Sequence, residues 1–399
     1  MATAEVIQEL PAKAPATQLE ITVNRKELLV ELAAVVGVVE RTTTIPILGN
    51  LLIDVSAEVA ALGGSVKIAA TNLNQSLTTY IPAKIVSPGT ATIPARKLYD
   101  YVRLLSNKED SVTIRQEENH WLHIKCGRSK TRMVGIAPAN FPPLPQLHEL
   151  KEDIPADVLR TFISKALVTV SDVEGRFTMT AALLEVTGER YQMVSTDGSR
   201  LTRISKAHDR ADYAPALRWL IPRAALAELL PLLKSSETTT VEIGEDDSTL
   251  YFRLGVRTLT TQKIAGNFPQ YERAMPNHPG PGLLLDVETV WQSLERCLLF
   301  SEKQTRCVAF RLSKDSLGIT SAAAGVGETE EQLDIHGGPE TALAIGYNGD
   351  FLKDLLSSQV DGTVEFRFKD NNSAALFTHR KDDGTTLEAV IMPMRLGGK

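Results

Sequence analysis

Three tandem copies of one helix-and-strand unit, roughly 130 residues each, limit what this chain can fold into more than any single motif does. Two helical patterns recur in order. The first covers 24–41, 156–172 and 286–302. One face reads Leu28, Leu32, Val35, Val39 in the first copy, Val158, Phe162, Ala166, Val170 in the second, and Val287, Trp291, Leu294, Leu298 in the third. Asp286 is placed to cap the third. The second pattern reads IPARKLYDYVRLLS (93–106), IPRAALAELLPLLKSS (221–236) and IGYNGDFLKDLLSS (345–358). Pro94 and Pro222 suit a helix start, and Pro231 should bend or shorten the middle copy. Strand-like runs GNLLIDV (49–55), TMTAALLEV (178–186) and CVAFRLS (307–313) come after the first helices. SVTIRQ (111–116), TVEIGE (240–245) and TVEFRF (363–368) come after the second. The first two copies close alike, with ANFPPLP (139–145) and GNFPQYERAMP (266–276). The expected class is therefore α+β. Three helix/antiparallel-sheet domains are expected at 19–146, 147–277 and 278–399, after a disordered extension over 1–18.

Composition sets the compartment and excludes several functions. Hydrophobic residues make up 43% and charged residues 23%, which fits a soluble globular chain of 399 residues. Cys126, Cys297 and Cys307 are too scattered for a disulfide framework or a zinc site, which points to a reducing, cytoplasmic setting. The start has no basic segment followed by an apolar run, so it reads as no secretion signal, and no stretch suits a membrane span. The net charge of −6 argues mildly against a simple nucleic-acid binder, but leaves room for a basic patch within an acidic surface.

No catalytic constellation, metal site or cofactor cradle is legible. GxGxxG, GxxxxGK[ST] and GxSxG are all absent. The histidines are dispersed, and His120 and His123 beside Trp121 read as a solvated strand edge. The acidic run GETEEQLD (327–334) reads as a solvated or interface loop. The basic residues say more. Arg96 and Arg103 share a face opposite Leu98, Val102 and Leu105. Lys353, Arg296, Arg160 and Lys26 likewise point away from the apolar faces of their helices, and Arg223 flanks one. Single helical charges are usually solvated, but equivalent helices would aim their polar faces at one common space.

Four strings then carry a resemblance. RTTTIPILGNLLIDV (41–55), TDGSRL (196–201), NFPQYERAMP (267–276) and VIMPMRL (390–396), in this order on a three-unit chain, resemble the bacterial replicative sliding clamps, the beta subunits of DNA polymerase III. The resemblance runs from about residue 19 to 396. It implies a non-catalytic processivity factor: a head-to-tail homodimer closing as a ring around duplex DNA, helices inward and strands outward. It also implies partners, namely the polymerase III catalytic subunit, the clamp loader, and other polymerases and repair proteins that bind through short linear peptides. The alternative weighed is a non-encircling DNA-binding scaffold of the same fold.

The resemblance also assigns residues. Together with helical phase it gives a DNA-facing set of Arg41, Arg96, Arg103, Arg160, Arg176, Arg223 and Lys353. It implies a peptide cleft of Met179, Thr196, Gly198, Ser199, Arg200, Leu201, Pro269, Arg273, Ala274, Val390, Met392, Pro393, Met394, Arg395 and Leu396. Apolar walls there would take hydrophobic anchors, and Thr, Ser and Arg at the rim would fix the peptide backbone. Ser199 stands where the family often has His, which implies a different rim hydrogen bond, and Met179 and Ala274 stand where other members carry Leu and Val, which implies a wider cleft with a shifted motif preference. Phe177 and Thr178 stand where some members present tyrosines. The implied dimer interface sets Lys97, Tyr101, Thr131 and Met133 against Leu299, Phe300, Glu328, Glu330 and Glu331 of a second copy.

Overall fold

The computed structural model describes residues 19–56, 65–147, 149–173, 175, 177–208, 216–278, 282–357 and 362–396. The extension expected over 1–18 lies outside them. Among the described residues, each third carries the same order: strand, helix, four strands, helix, three strands. The first third holds β1 (Glu20–Asn24), α1 (Arg25–Val38), β2 (Asn50–Val55), β3 (Ser65–Thr71), β4 (Gln75–Ser87), β5 (Gly89–Pro94), α2 (Ala95–Leu104), β6 (Ser111–Gln116), β7 (Trp121–Cys126) and β8 (Ser129–Val134). The second holds β9 (Leu150–Pro155), α3 (Ala156–Ala166), β10 (Ala181–Val186), β11 (Arg190–Thr196), β12 (Arg200–Ala207), β13 (Leu217–Pro222), α4 (Arg223–Ser235), β14 (Thr240–Glu245), β15 (Thr249–Leu254) and β16 (Arg257–Gln262). The third holds β17 (Leu283–Asp286), α5 (Val287–Leu298), β18 (Cys307–Leu312), β19 (Ser316–Ala323), β20 (Gly327–Asp334), β21 (Leu343–Asn348), α6 (Gly349–Ser357), β22 (Thr363–Arg367), β23 (Ala375–Arg380) and β24 (Thr385–Ile391).

The chain forms two compact units, one of residues up to 152 with 242–262, the other of 153–241 with 263 onward. The first is built on a twelve-stranded sheet, which runs β8-β7-β6-β1-β4-β16-β15-β14-β9 with β2, β3 and β5 branching off. The second holds an eight-stranded sheet, β13-β10-β11-β12-β24-β23-β22-β17, and a four-stranded one, β20-β19-β18-β21. Consecutive repeats are thus joined edge to edge, β4 with β16 and β12 with β24. Each repeat's two helices pack together, α1 on α2, α3 on α4, α5 on α6. Their apolar faces (Leu28, Leu32 and Val35; Leu159, Phe162 and Ile163; Val290 and Leu294) are buried. The third repeat centres on Phe310, Tyr347, Phe366 and Phe377, with edge-on and stacked rings 4.7–6.5 Å apart.

The helix boundaries show where periodicity overruns the helix. α1 ends at Val38 rather than 41, because Val39 is already extended (φ −76°, ψ 119°). α3 ends at Ala166 rather than 172, and Val168 and Thr169 continue as turns, with N–H donations to the carbonyls of Lys165 and Ala166. Val170 stays buried, so the apolar pattern outlives the helix. Asn24, Asp286 and Asn348 cap α1, α5 and α6, each side-chain oxygen accepting from backbone N–H two or three residues further on. Pro231 does not shorten the middle copy: α4 runs 13 residues, against 10 for α2. One lost N–H donation is outweighed there by the buried Leu226, Leu229, Leu232 and Leu233. GETEEQLD is not a loop but the edge strand β20, because alternate residues can face solvent while Thr329, Glu331 and Leu333 are partly covered.

The two internal junctions share one turn geometry. Thr71 Oγ1 donates to Gln75 O at 2.8 Å and accepts from Leu73 N at 3.0 Å, while Thr196 Oγ1 donates to Arg200 O at 2.7 Å and accepts from Gly198 N at 3.0 Å. Asn72 Oδ1 accepts from Gln75 N at 2.8 Å as Asp197 Oδ1 accepts from Arg200 N at 3.0 Å. Gln262 N donates to Asn74 O at 2.9 Å as Met392 N donates to Ser199 O at 3.1 Å. The third residue of the turn needs a positive φ; Gly198 takes it freely at 91°, whereas Leu73 takes it at 76°, at a cost of about 1–2 kcal/mol.

Beyond the turns the two junctions differ. At the first, Ser76 and Thr260 share a hydrogen bond of 2.6 Å, and a buried ion pair lies nearby. Arg257 grips Glu31 with two bonds of 2.8 Å, and Thr79 donates to the same carboxylate at 2.6 Å. Removing one member strands the other charge in a dry site. Arg257→Ala should lower unfolding free energy by ~3–5 kcal/mol, and Arg257→Ala with Glu31→Ala by clearly less, measured by denaturant titration.

Candidate peptide cleft, helix faces and strand edges

The residues assigned to the cleft gather at the end of the β12–β24 junction. Leu201 and Val390, opposite one another in register, are buried with Leu183, Val194 and Tyr271 as an apolar floor. Phe268, Met275, Leu220 and Leu376 pack against that floor, and Pro269, Arg273 and Ala274 lie on the same strap of chain as Phe268 and Tyr271. Burial, and secondly the carboxylate of Glu185, push the Tyr271 phenol above its ordinary range, so it remains a neutral donor to Glu185 at 2.9 Å. Met179 sits in a short 3-10 turn (Phe177–Thr180), half-buried. Met392, two residues beyond Val390, is 48% exposed, and Leu396, 38% exposed, lies against Gly346 of β21. Met394 is tied back, its N–H donating to Gly346 O at 2.7 Å.

Two rim residues are already engaged. Arg200 was expected to meet a peptide backbone, but its side chain is only 13% exposed. It bonds Asp197 at 3.0 Å and Asp354 at 2.8 Å, and its guanidinium lies 4.2 Å above the ring centre of Phe351. Thr196 commits its hydroxyl to the turn. Ser199, Arg273 and Arg395 are the exposed polar members. Phe351 and Asp354 were missed in the sequence because they read only as α6 periodicity, and nothing there shows that Arg200 crosses to them.

The arginines and lysine assigned to DNA divide by what they touch. Arg96 donates to Val39 O at 2.5 Å, and Arg223 to the carbonyls of Leu167 and Val170 at 3.0 and 3.1 Å. Each therefore caps the C-terminal end of the first helix in its repeat, where orphan carbonyls and the helix dipole favour a cation. Arg306 does the same for α5 through Leu298 O at 3.0 Å. Lys353 pairs with Glu295 at 2.7 Å and lies over Trp291, and Arg296 is held by Glu331 in two bonds of 2.9 and 2.6 Å. That contact holds the Glu331 carboxyl below its ordinary range. α5 and α6 also carry Glu288, Glu295, Asp350 and Asp354, of which Glu295 pairs with Lys353 while Asp350 and Asp354 are held by Arg306 and Arg200. Arg103 pairs with Asp100 at 3.1 Å but stays 56% exposed. Arg160 is exposed on α3, and Arg41 is exposed in the segment after α1 rather than on a helix. Arg176 lies outside the described residues.

The residues assigned to the dimer interface lie on two strand edges. Thr131 and Met133 are on β8, the end strand of its sheet, with Lys130 and Arg132 exposed between and beside them. Lys97 and Tyr101 lie on α2. Glu328, Glu330 and Glu331 are on β20, the end strand of the four-stranded sheet, while Leu299 (74% exposed) and Phe300 come directly after α5. Among the described residues no group of three or more His, Cys, Asp or Glu could hold a metal ion, and no helix is long and apolar enough to cross a membrane.

Comparison with known proteins decides the lineage. Three family models match in order: the N-terminal domain of the DNA polymerase III beta subunit over residues 19–145, the central domain over 153–270 and the C-terminal domain over 272–395. The chain belongs to the DNA polymerase III beta subunit family. It is 31% identical to the beta sliding clamp of Pseudomonas aeruginosa, across 95% of this chain and 100% of that one. It is 28% identical to that of Salmonella typhimurium over the same shares. A crystal structure of the DNA polymerase III subunit beta from Pseudomonas aeruginosa superposes with a TM-score of 0.85 at 29% identity, covering 94% of this chain and 100% of that one.

The capping role gives the family member a testable signature. Arg223→Ala should lower unfolding free energy by about 1–3 kcal/mol in denaturant titration, because two carbonyls lose a charged donor. Arg160→Ala should leave it unchanged within error.

Proposed function

We infer that the protein is a replicative sliding clamp, a non-catalytic processivity factor that encircles duplex DNA as a head-to-tail homodimer and tethers a DNA polymerase. The observation that carries this reading is the pattern of sheet edges. At both internal junctions, a four-strand half-sheet ending in β4 or β12 is continued by one beginning with β16 or β24. The half-sheet ending in β20 has no such continuation among the described residues, and the one beginning with β8 continues nothing. A second copy supplies both missing partners. Such a contact is heterologous, and made twice it closes into a finite assembly in which neither β8 nor β20 is left unpaired. The exposed Lys130 and Arg132 on β8 complement Glu328 and Glu330 on β20.

DNA would be held without base readout, by Arg41, Arg103 and Arg160, with Lys26 on α1 and Arg176 as further candidates. Attraction to phosphates is long-ranged and salt-sensitive, so it lets a closed ring slide. The apolar floor at Leu201 and Val390, with Met392 two residues beyond it, would take hydrophobic anchors of a linear peptide. Arg200 would hold the turn beneath that peptide rather than bond it. Clamp loader, polymerase and repair proteins are the expected carriers of such peptides.

Loaded by a clamp loader onto nicked circular duplex, the protein should co-elute with DNA in gel filtration and be lost once the circle is linearised. Equal retention on both forms would overturn encirclement, and a monomer at micromolar concentration would favour the open scaffold. Glu328→Lys with Glu330→Lys should weaken the dimer at least tenfold in sedimentation equilibrium, and Lys130→Glu with Arg132→Glu in the same chain should restore it in part. Arg160→Ala should reduce the salt slope of DNA binding by about one.

A further inference from the structure

The threefold repeat supplies its own control for a groove in the second repeat. Each repeat has one outer strand on the side away from the junction: β5, β13 and β21. In the first repeat, the chain leaving β8 covers that strand. Thr92 Oγ1 on β5 donates to Ile136 O at 2.7 Å and accepts from Ile136 N at 2.9 Å, and a Cβ added to Gly135 would lie 2.0 Å from Thr92 O. In the third, the chain leaving β24 covers β21. Gly346 and Met394 form an antiparallel bridge, and a Cβ on Gly346 would lie 2.5 Å from Met394 O. In the second repeat, residues 264–270 make no backbone hydrogen bond to β13 among the described residues. Gly266 instead turns at φ 107° against Thr178, and the strap after it crosses the apolar floor.

A groove of about 540 Å³ lies between strap and strand. Leu183, Leu220 and Phe268 give it apolar walls, with Pro269 beside them and Arg218 and Arg273 at its rim. The Arg273 side chain is exposed and bonds nothing among the described residues; Arg218 is 58% exposed and shares Glu185 with Tyr271 and Gln192. The opposing charge is Glu272. The groove shares Leu183, Pro269 and Arg273 with the cleft and its floor, but Met179, Leu201, Val390 and Met392 do not line it, and Arg218 and Leu220 place its other wall on β13.

We propose that this groove docks one extended segment of a partner protein, added beside β13 as the chain's own segments are added beside β5 and β21. The two natural occupants set the chemistry. Each is an extended run with an apolar residue (Ile136 or Met394) bonded through its backbone to the edge strand. The partner segment therefore carries apolar residues at alternate positions, for Leu183, Leu220 and Phe268, and an aspartate or glutamate for Arg273 and Arg218. This reading does not rest on encirclement or on the dimer.

A random heptapeptide library on phage, panned against the full-length protein, tests it. Enriched peptides should alternate apolar and polar residues and include Asp or Glu. Leu220→Lys should cut their recovery at least tenfold and Arg218→Ala about threefold, while Met392→Ala leaves it unchanged. Thermal melting and sedimentation establish that each variant is folded and dimeric; should Leu220→Lys fail to fold, Arg218→Ala decides alone. No enrichment, basic consensus peptides, or recovery unchanged by Arg218→Ala overturns the proposal. Dependence on Met392 also overturns it, by assigning the peptides to the cleft. Loss of the dimer in Leu220→Lys overturns it too, by assigning the groove to a second copy.

Discussion

Unpaired strand edges govern this molecule. A half-sheet ending in exposed N–H and C=O groups is a template for whatever strand arrives next, so each repeat is incomplete until an edge meets an edge. Within the chain that demand is met twice, by β4 with β16 and by β12 with β24. The register at each meeting is fixed by the turn that precedes it, since Gln262 and Met392 place the same backbone bond on the same turn carbonyl. The helices are positioned by the sheets they cover, and the polar faces they present result from that placement.

The same constraint explains how three similar units acquire unequal functions. At the first junction Ser76 and Thr260 share a hydrogen bond, and the Arg257–Glu31 pair is buried nearby. The second carries Leu201 and Val390 over an apolar floor and leaves Met392 in solvent. Backbone geometry is nearly shared and side-chain chemistry is not. The difference between the two junctions is therefore one of residue choice and not of backbone fold.

Charge is distributed according to local need. Three arginines (Arg96, Arg223 and Arg306) serve the carbonyl ends of the first helices, which need a cation whatever lies beyond. The third repeat commits Lys353 and Arg296 to carboxylates. Fewer helical cations are thus left without a protein partner than a count of them suggests.

The sequence by itself determined the threefold order of helices and strands, because burial imposes a 3.6-residue period on a helix and a two-residue period on a strand. It also marked the junction that carries TDGSRL and VIMPMRL, since those strings occur once. Helix ends were less legible: Val170 stays apolar and buried four residues beyond the last helical residue of α3. The acidic run at 327–334 hid a strand, because an edge strand with a solvated face has the composition of a loop. Only the tertiary structure decided that Arg200 belongs to Asp354 and Phe351, that Arg223 caps α3, and that β13 lacks the cover given to β5 and β21. The physical reason is range. Periodicity and turn chemistry act between neighbours in the chain, whereas an ion pair such as Arg200 with Asp354 joins residues 154 positions apart.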